Sequence, residues 1–436
     1  MGIRHAGLIP YGPDTIKGRR VTVVGAGRSG KAAAALASRA GGVVHLLEVC
    51  PDALTQPQVQ KLQAQGIQLR IGPHRADDFA WADVVILSPG VGKHTIASFL
   101  PYGLDLPVIS ELELALGWIR EPIIAVTGTN GKTTTVSLID HILTSCGVNC
   151  FTGGNIGTPL SEYVLSGQGK EVVVLEVSSF QLQLTRSLQP NVAVWLNFSP
   201  NHLDHHQDLE EYRQAKMSLF ANQGPKDIAL IHAGLRSEIQ KSGKPMANIE
   251  FFDHEHSLRA PRLPGVHNWI NMEAAYRACA PFGVSLVAAQ KAVSSYVPHA
   301  HRLQPVTEKD GVLYVNDSKA TTVHALQAAL QSFDRPIHLL AGGRYKGGDL
   351  SALTGLVGRK VRSVTLFGQS REIFSRAWGE IVPIDWKPTL EEAVVHAAGL
   401  ACSGDVVLLS PATSSFDLFV NYAARGEAFV QAVHDL

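Results

Sequence analysis

The chain has 436 residues, of which 45% are hydrophobic and 17% charged, with 38 basic and 38 acidic side chains. The composition is ordinary for a globular protein, the length predicts two or three domains, and the zero net charge gives no sign of nucleic-acid or membrane binding. Neither a secretory leader nor a bilayer-length apolar run is evident. The cysteines have no C-x-x-C spacing, so we expect a cytoplasmic protein with reduced thiols; they are Cys50, Cys146, Cys150, Cys279 and Cys402.

The first block of the chain repeats strand, glycine and helix, a pattern typical of a parallel sheet with crossover helices. Apolar runs predict strands at 21–24, 43–47 and 83–87, and a helix from about residue 31. After the first strand stands Gly25-Ala26-Gly27-Arg28-Ser29-Gly30, a G-x-G-x-x-G pattern, with Glu48 near the place of a ribose-binding acid. Taken alone, this predicts a site for NAD(P) or another nucleotide diphosphate. We assign residues 1–109 to a Rossmann-like domain.

The most informative stretch lies at 127–134 and reads Thr-Gly-Thr-Asn-Gly-Lys-Thr-Thr. It joins a predicted strand at 123–126 to a helix beginning near Thr134. Such a glycine-rich turn at a helix N-terminus cradles phosphate, with Lys132 reaching the β/γ-phosphates and Thr133 ligating Mg²⁺. The pattern G-x-x-x-x-G-K-[ST] departs at one place, because Val126 stands where the first glycine is expected. The alternative is a chance G-K-T on a surface helix.

Further candidates follow in the predicted central domain, residues 110–299. Glu176 ends a predicted strand at 171–176, where a nucleoside triphosphatase places a magnesium-directed carboxylate, although a solvated acid is the alternative. The next strand, at 192–196, precedes His202-Leu203-Asp204-His205-His206, which could hold zinc or supply one imidazole to a magnesium site. Lys216 lies on a predicted helix at 209–220, where a lysine is most often a solvated charge.

A proline-flanked linker at 298–305 precedes a third block, residues 300–436, for which we predict strands at 311–316, 337–341, 364–367 and 406–410 and helices at 324–333 and 390–401. Three polar segments, 316–321, 342–349 and 410–417, each follow a strand. Ligands of open α/β sheets bind at the carboxyl ends of strands, and lysines with hydroxyls there suit a carboxylate ligand. The whole chain is predicted to be an α/β protein of three domains: Rossmann-like, phosphate-loop ATPase-type with a mostly parallel sheet, and Rossmann-like.

Taken together, the motifs resemble the amide-forming Mur ligases and folylpolyglutamate synthetases. The phosphate loop with a non-glycine first position is followed, in that family's order, by the segments 153–157, 176–181, 201–205, 212–216, 265–268, 298–302 and 316–320. Within the family, the Gly25–Gly30 turn, the Leu-Ser-Pro-Gly turn ending at Gly90, and the Ser-Ser-Phe-Gln and Ser-Pro-Ala segments resemble the branch that adds D-glutamate. The resemblance implies ATP, D-glutamate and UDP-N-acetylmuramoyl-L-alanine as substrates.

The resemblance also implies a mechanism. The γ-phosphoryl group of ATP passes to the substrate carboxylate, and the amine of D-glutamate attacks the resulting acyl phosphate. Two Mg²⁺ ions and a CO₂-derived carbamate on Lys216 are implied as cofactors, with Thr133, Glu176, His202 and Lys216 as metal ligands. The implied catalytic residues are Lys132, His202, Lys216, Lys319 and Lys346.

The binding residues implied by the resemblance fall into three sets. ATP is assigned Gly128, Thr129, Asn130, Gly131, Lys132, Thr133, Thr134, Asn268, Asn271, Arg302 and Asp317. The UDP substrate is assigned Arg28, Ser29, Glu48, Gly90, Asn155, Ser178 and His202. D-Glutamate is assigned Lys319, Thr321, Lys346, Ser415, Phe416 and Tyr422. Departures from the family pattern stand at Val49-Cys50, Tyr345 and Thr413.

Three alternatives stay open at this point. The chain could be another Mur-type ligase or a folylpolyglutamate synthetase. It could also be an NAD(P)-dependent oxidoreductase built on Gly25–Gly30, or a nucleotide switch, although no Asn-Lys-x-Asp motif supports the switch. We expect a monomer that neither binds nucleic acid nor inserts into a membrane.

Overall fold

The computed structural model describes residues 11–436 except 90, 104, 200–207, 243–244, 257, 262, 264, 299 and 346–348. The chain forms three β-sheets and divides into two compact units. The first unit holds the residues up to Glu255 together with Glu273–Ala289, and it contains the first two sheets. The second unit holds His256–Met272 and Gln290–Leu436, with the third sheet.

The first sheet has five strands in the order β3-β2-β1-β4-β5, all paired in parallel. Its strands are β1 Arg20–Val24, β2 Val43–Glu48, β3 Gln68–Ile71, β4 Val84–Leu87 and β5 Val108–Ser110. The accompanying helices are α1 Pro13–Ile16, α2 Arg28–Arg39, α3 Gln56–Ala64, α4 Ala76–Ala80 and α5 Lys93–Ile96. The strand order reverses between β1 and β4, so the glycine-rich turn after β1 lies at a topological switch point, where such sheets bind ligands.

The close packing around Gly30 explains why the last position of the G-x-G-x-x-G turn is glycine. A Cβ atom at this position would lie 1.8 Å from the carbonyl oxygen of Gly25 and 2.5 Å from Ser88 Oγ. Only glycine therefore lets α2 approach the end of β1 so closely. The helix begins at Arg28, three residues before the predicted start.

The second sheet has six strands in the order β11-β10-β9-β6-β8-β7, again all parallel. Its strands are β6 Ile123–Thr127, β7 Cys150–Gly154, β8 Val172–Glu176, β9 Val192–Trp195, β10 Ile228–His232 and β11 Asn248–Phe252. The helices from α6 to α11 are Glu111–Ala115, Lys132–Ser145, Leu160–Leu165, Ser179–Gln183, Leu209–Met217 and Arg236–Ser242. The central strands β6, β8 and β9 are buried at every residue, as expected for a parallel sheet covered on both faces.

One apolar core serves both sheets of the first unit. It contains Val23 and Ile86 from the first sheet and Ala125, Val173 and Trp195 from the second, each with at most a trace of exposed surface. Because a close-packed core resists shear, the carboxyl edges of the two sheets keep a defined relation within this unit.

The third sheet has the order β12-β13-β17-β14-β15-β16, antiparallel between β12 and β13 and otherwise parallel. Its strands are β12 Gln304–Lys309, β13 Val312–Asn316, β14 Ile337–Gly342, β15 Val361–Phe367, β16 Ile384–Trp386 and β17 Val406–Leu409. Helices α12 Val266–Cys279 and α13 Leu286–Ser295 precede it along the chain. Helices α14 to α18 are Val323–Gln331, Thr354–Lys360, Arg371–Trp378, Leu390–Leu400 and Tyr422–His434.

The predicted α/β fold with mostly parallel sheets is confirmed. Each predicted strand is present within three residues of its predicted ends, and the helix predicted at 209–220 is α10 followed by a 3₁₀ turn at Ser218–Phe220. The predicted domain boundaries stay a prediction, although the sheets occupy 20–110, 123–252 and 304–409. All five cysteines are free thiols. Of the helices in the described part of the chain, none has the length and hydrophobicity needed to span a bilayer.

Candidate active site

The phosphate loop runs from the end of β6 to the start of α7, with Gly131 as the N-cap. Gly131 has a φ angle of +79°, a left-handed conformation that glycine adopts without strain. Helix α7 has 14 residues, so its N-terminal N–H groups and dipole can hold an anion at this turn. Val126 lies inside the strand, fully buried and in register with Glu176 of β8. The departure from the usual loop pattern therefore falls in the sheet rather than in the turn.

Lys132 folds back over its own loop. Its Nζ atom donates to the carbonyl oxygens of Gly128, at 2.8 Å, and Thr129, at 3.0 Å. Both of these acceptors are neutral carbonyl groups of the loop backbone. The predicted ATP residues from Gly128 to Thr134 are thus brought together at one helix end.

Asn197 holds the loop from the neighbouring strand and was missed by the sequence analysis. Its Oδ1 atom accepts from the Asn130 N–H at 2.9 Å, and its Nδ2 donates to the Asn130 carbonyl at 3.1 Å. The available signal was a polar residue just past β9, which pairs with β6. This reciprocal pair fixes the loop backbone before any ligand binds.

Glu176 lies beside the loop, at the carboxyl end of β8, with only 2% of its surface exposed. Thr133 Oγ1 donates to Glu176 Oε2 at 2.7 Å, and Asn155 Nδ2 donates to Glu176 Oε1 at 2.9 Å. The Asn155 N–H also donates to the Glu176 carbonyl at 2.8 Å. Three predicted site residues therefore meet at one carboxylate, which rules out the solvated-acid alternative for Glu176.

Ser178 begins the helix after Glu176. Its hydroxyl accepts from the Gln181 N–H at 3.3 Å, and the Gln181 side chain reaches back to the Ser178 N–H at 3.1 Å, forming a capping box. The residue predicted to bind substrate thus has a structural role here, at the rim of the Glu176 site.

Lys216 is buried, with 1% of its surface exposed, and is not a solvated charge. It lies one helical turn after Tyr212, and its Nζ stands 4.6 Å from the centre of the Tyr212 ring. Tyr212 in turn shares a hydrogen bond of 3.1 Å with Thr129 Oγ1 in the phosphate loop. The i, i+4 spacing on α10 therefore places the amine beside the loop.

The pKa of Lys216 lies well below its ordinary value, because burial removes water from the ammonium and because the Lys132 charge repels it. A depressed pKa favours the neutral amine, the nucleophilic form of lysine. His202, predicted to act beside it, lies outside the described residues.

In the first sheet, Glu48 closes back on the glycine-rich turn. Its two carboxylate oxygens accept from the Ala26 N–H at 2.7 Å and from the Cys50 N–H at 3.0 Å. Ser29 lies half-buried in the first turn of α2. Arg28 points away from this turn and forms a salt bridge of 2.9 Å with Glu162. Gly90, the remaining residue of the predicted set in this sheet, lies outside the described residues.

In the second unit, the three polar segments meet as predicted, because they follow the adjacent strands β13, β17 and β14. The Ala412 N–H donates to the Ala320 carbonyl at 2.9 Å, and the Arg344 N–H donates to the Ser414 carbonyl at 2.9 Å. Thr413, a departure from the family pattern, is buried and donates to the Gly342 carbonyl at 2.6 Å. The segments therefore form one continuous edge.

Asp317 is buried at this edge. Its carboxylate accepts from the Leu303 N–H at 3.1 Å and from Ser410 Oγ at 3.0 Å. Burial nevertheless dominates and raises the pKa of Asp317 to about 7, with Arg302 acting in the opposite direction. The bond from the Leu303 N–H, next in the chain to Arg302, brings these two predicted ATP residues near each other.

Arg425 was missed by the sequence analysis, although it is fully buried behind the same edge. It donates to Ser318 Oγ at 3.0 Å, to the Ser318 carbonyl at 2.9 Å and to the Thr413 carbonyl at 3.1 Å. Burial lowers its pKa to about 10. A lone arginine in the C-terminal helix, Tyr422–His434, carries no sequence signal of burial, so only the packing reveals it.

The remaining predicted residues of this unit lie either on α12 or in and after the polar segments that follow the strands. Lys319 Nζ lies 3.8 Å from the centre of the Tyr422 ring, a cation–π contact. Asn268 and Asn271 are buried on one face of α12 and share a hydrogen bond of 3.2 Å. Thr321 is half-buried, Ser415 is buried and Phe416 is exposed at 63%. Lys346 lies outside the described residues.

Within the described ranges, no group of three or more His, Cys, Asp and Glu side chains is arranged to hold a metal ion. The segment 202–206, for which zinc was an alternative, lies outside those ranges. The oxygen donors at the loop, the Thr133 hydroxyl and the Glu176 carboxylate, are of the kind that Mg²⁺ prefers when phosphates supply further ligands.

The phosphate loop at the carboxyl edge of a parallel sheet places this chain in the class of phosphate-loop nucleotide-binding proteins. Family profiles narrow this class: the Mur ligase middle domain matches residues 126–259, and the Mur ligase, glutamate ligase domain matches residues 301–413. The chain belongs to the Mur ligase family.

Relatives and solved structures agree with this assignment. The chain is 49% identical over 417 residues to UDP-N-acetylmuramoylalanine--D-glutamate ligase of Nitratidesulfovibrio vulgaris (strain DP4), covering 95% of this chain and 96% of the relative. It is 46% identical to the protein of the same name from Desulfovibrio desulfuricans, covering 97% and 99%. A similar fold, with a TM-score of 0.57 and 18% identity, occurs in UDP-N-acetylmuramate-alanine ligase from Thermotoga maritima, covering 96% and 99% of the two chains.

Proposed function

We propose that this protein is an ATP-dependent ligase that joins D-glutamate to the carboxylate of UDP-N-acetylmuramoyl-L-alanine, a step of peptidoglycan synthesis. One observation carries the chemistry: the phosphate loop holds Thr133 against the buried carboxylate of Glu176. Relatives at 46–49% identity over nearly the whole chain bear the corresponding name, which supports the choice of substrates.

Magnesium fits the residues at the loop. Thr133 and Glu176 would be oxygen ligands for one ion, and we assign His202 and Lys216 to a second. When bound, Mg²⁺ supplies positive charge beside the phosphate oxygens. The Asn155 amide orients Glu176 through its bond of 2.9 Å, as supporting hydrogen bonds do for other metal ligands.

The reaction needs a carboxylate to attack a phosphate, although both are anionic. In the proposed sequence, a carboxylate oxygen bonds to the γ-phosphorus as the bond to ADP breaks, which yields an acyl phosphate. The amine of D-glutamate then attacks the acyl carbon and loses a proton. The C–O bond to the phosphoryl group breaks, and inorganic phosphate leaves. Lys132 stabilises the charge on the transferred phosphoryl group. Its Nζ atom already lies at the loop, where it donates to the Gly128 and Thr129 carbonyls.

Lys216 is proposed to act as a carbamate. Its neutral amine, favoured by burial, attacks CO₂, so that an N–C bond forms and one amine proton leaves to solvent. The product is an anion, which changes Lys216 from a repelling neighbour of Lys132 into an attracting one. The buried position beside Tyr212 supports this assignment because an unmodified ammonium there lacks water.

The second unit is proposed to bind the rest of ATP and the amino acid. Asn268, Asn271, Arg302 and Asp317 are assigned to the adenine and ribose. D-Glutamate is assigned to Lys319, Thr321, Lys346, Ser415, Phe416 and Tyr422. The Lys319 ammonium, held on the Tyr422 ring rather than by a carboxylate, is suited to an incoming carboxylate.

The nucleotide diphosphate of the UDP substrate is proposed to lie at the Gly25–Gly30 turn. Glu48 retains free carboxylate lone pairs beside its two backbone contacts and is assigned to the uridine, with Ser29 and Gly90. Asn155, Ser178 and His202 are assigned to the far end of this substrate. Since ATP and UDP-linked sugars are cytosolic metabolites, we also propose a cytoplasmic location, and we retain the monomer and the domain boundaries at 109 and 299 as proposals.

An ATP-dependent phosphate-release assay tests the function. With UDP-N-acetylmuramoyl-L-alanine present, release should depend on D-glutamate and not on L-glutamate, L-lysine or diaminopimelate. Release with another amino acid would assign the chain to a different ligase of the same family. Quenching of NADH fluorescence on mixing, which we expect to be absent, would instead support an oxidoreductase.

A further inference from the structure

The Arg28 guanidinium group donates hydrogen bonds to residues that follow strand β7 of the second sheet. Its Nε and Nη2 atoms donate to the two carboxylate oxygens of Glu162, at 2.9 and 3.0 Å. Nη1 donates to the Gly157 carbonyl at 2.9 Å, and Nη2 also reaches Thr158 Oγ1 at 3.3 Å. An arginine that belongs by sequence to the glycine-rich turn thus has four contacts in a region about 130 residues away.

The receiving segment is the turn between β7 and α8, residues 154–158. It is closed at its base, where the Gly154 N–H donates to the Thr158 carbonyl at 3.1 Å. Gly157 has a left-handed φ of +63°. Arg28 adds hydrogen bonds to Gly157 and Thr158 at the C-terminal end of this turn.

The same turn carries Asn155, whose side-chain amide and backbone N–H both bond to Glu176. A continuous chain of contacts thus runs from Arg28 through Gly157 and Thr158 to Asn155, then to Glu176 and Thr133. Each link is a direct hydrogen bond or a few residues of one turn.

We propose that Arg28 is a positioning residue for the Asn155 turn and hence for Glu176, and not a ligand of the nucleotide diphosphate. This role rests on the proposed function, in which Glu176 is a magnesium ligand. It replaces the diphosphate-binding role assigned to Arg28 from the sequence. Arg28, the first residue of α2, thereby sets the geometry of the Glu176 carboxylate, which is proposed to bind magnesium.

Exposed ion pairs usually contribute little, and Arg28 and Glu162 keep 56% and 43% of their side-chain surface exposed. Two features distinguish this pair. The geometry is bidentate, which holds the guanidinium plane, and the two further acceptors lie on the turn itself. The pair lowers the pKa of Glu162, so the carboxylate stays charged over the range in which the protein is studied.

Calorimetric titrations of the full chain with UDP, and separately with ADP and Mg²⁺, test the proposal without turnover. In Arg28→Ala and Glu162→Gln, the Kd for UDP should change by less than about twofold, whereas that for ADP with Mg²⁺ should rise by about tenfold, the lower end of the range found for residues that support metal ligands. The double variant should weaken binding no more than Arg28→Ala alone, because Glu162→Gln changes a contact that Arg28→Ala already removes. Arg28→Lys should fall between Arg28→Ala and the wild type.

Arg39→Ala is the matched control. Arg39 also joins α2 to the end of α8, through its bond of 3.2 Å to the Leu165 carbonyl, but it does not touch the turn. It should leave both affinities unchanged, and thermal unfolding of every variant checks that it is folded. A tenfold loss of UDP affinity in Arg28→Ala alone would make Arg28 a diphosphate ligand and overturn the proposal, as would unchanged binding of ADP with Mg²⁺ in both single variants. The titrations contain no amino acid and need no turnover. A lack of ligase activity would therefore refute the proposed function but would not change the outcome of the binding test.

Discussion

Thr133 and Glu176 are 43 residues apart in the chain and are joined by a hydrogen bond of 2.7 Å from hydroxyl to carboxylate. The contact exists because β6 and β8 are neighbours in one parallel sheet, so the loop after β6 and the last residue of β8 share its carboxyl edge. A hydroxyl and a carboxylate converging at a phosphate loop are the ligands that a magnesium nucleotide requires.

Glu176→Gln tests this carboxylate. The amide keeps the size and the acceptor oxygen of the side chain but removes its charge, so turnover should fall by about 100-fold or more, the usual cost of losing a charge-stabilising group. Magnesium titrations of phosphate release measure the effect. Glu380→Gln, an exposed position in the second unit, is the control and should leave the rate unchanged. A near-normal rate and magnesium dependence in Glu176→Gln would show that this carboxylate holds no ion.

Lys132→Ala tests the loop lysine. Its ammonium donates to two carbonyls of its own loop, and its removal should leave the fold intact and cost about 100-fold or more in turnover. Single-turnover phosphate transfer is the appropriate measurement, because it reports the chemical step. Lys61→Ala, on the exposed face of α3, should behave as the wild type. Unchanged transfer in Lys132→Ala would place the loop outside the chemistry.

Lys216→Met separates function from stability. The folded state binds the Lys216 proton less tightly than the unfolded chain, so this group destabilises the fold at low pH. The penalty fades as pH rises from the depressed folded pKa toward the ordinary lysine value of 10.5. In CO₂-free buffer, Lys216→Met should therefore be inactive yet more resistant to urea than the wild type, most at pH 6 and least near pH 10.

A urea series at several pH values measures this difference, and intact mass spectrometry of wild type kept in bicarbonate should show the added mass of one CO₂. Lys61→Met is the control, with no pH-dependent gain expected. Full activity of Lys216→Met would refute the carbamate, and a stability gain independent of pH would refute the buried ammonium.

Asp317→Asn should change stability with the opposite pH dependence to Lys216→Met. Burial raises the folded pKa of Asp317 to about 7 from its ordinary value of 3.8, so the folded state binds this proton more tightly than the unfolded chain. The resulting stabilisation is complete below the unfolded pKa and is lost as pH rises through about 7. Relative to the wild type, Asp317→Asn should therefore gain stability between pH 4 and pH 8. Denaturation at these two values is the measurement, with exposed Asp77→Asn as control; an equal difference at both would contradict the raised pKa.

Much of the fold could be predicted, because the central strands of parallel sheets are buried on both faces and appear as continuous apolar runs. The strands β4, β6, β8 and β17 were found for this reason. Edge strands such as β3, Gln68–Ile71, and β16, Ile384–Trp386, are partly exposed and mix polar with apolar residues, so their sequence does not separate them from loops. They were missed.

The candidate site was predictable where its residues are neighbours in sequence. The phosphate loop is one turn followed by one helix, and its glycines, Lys132 and Thr133 reveal it. The clamp of Asn197 on Asn130, the buried Arg425 and the Arg28–Glu162 pair were not foreseen. Each depends on a partner brought close by sheet order or helix packing, which local propensity does not report.

The sequence by itself therefore determined the succession of strands, glycine turns and helices, the phosphate loop, and the family resemblance, since these depend on local backbone preference and hydrophobic pattern. Only the tertiary structure decided what each charged side chain contacts. Lys216, predicted by pattern to be solvated, is buried beside a tyrosine, and Arg28 contacts a turn of the central sheet instead of its own loop. Electrostatic energy depends on distance and on exclusion of water, and both are set by packing among segments far apart in the chain.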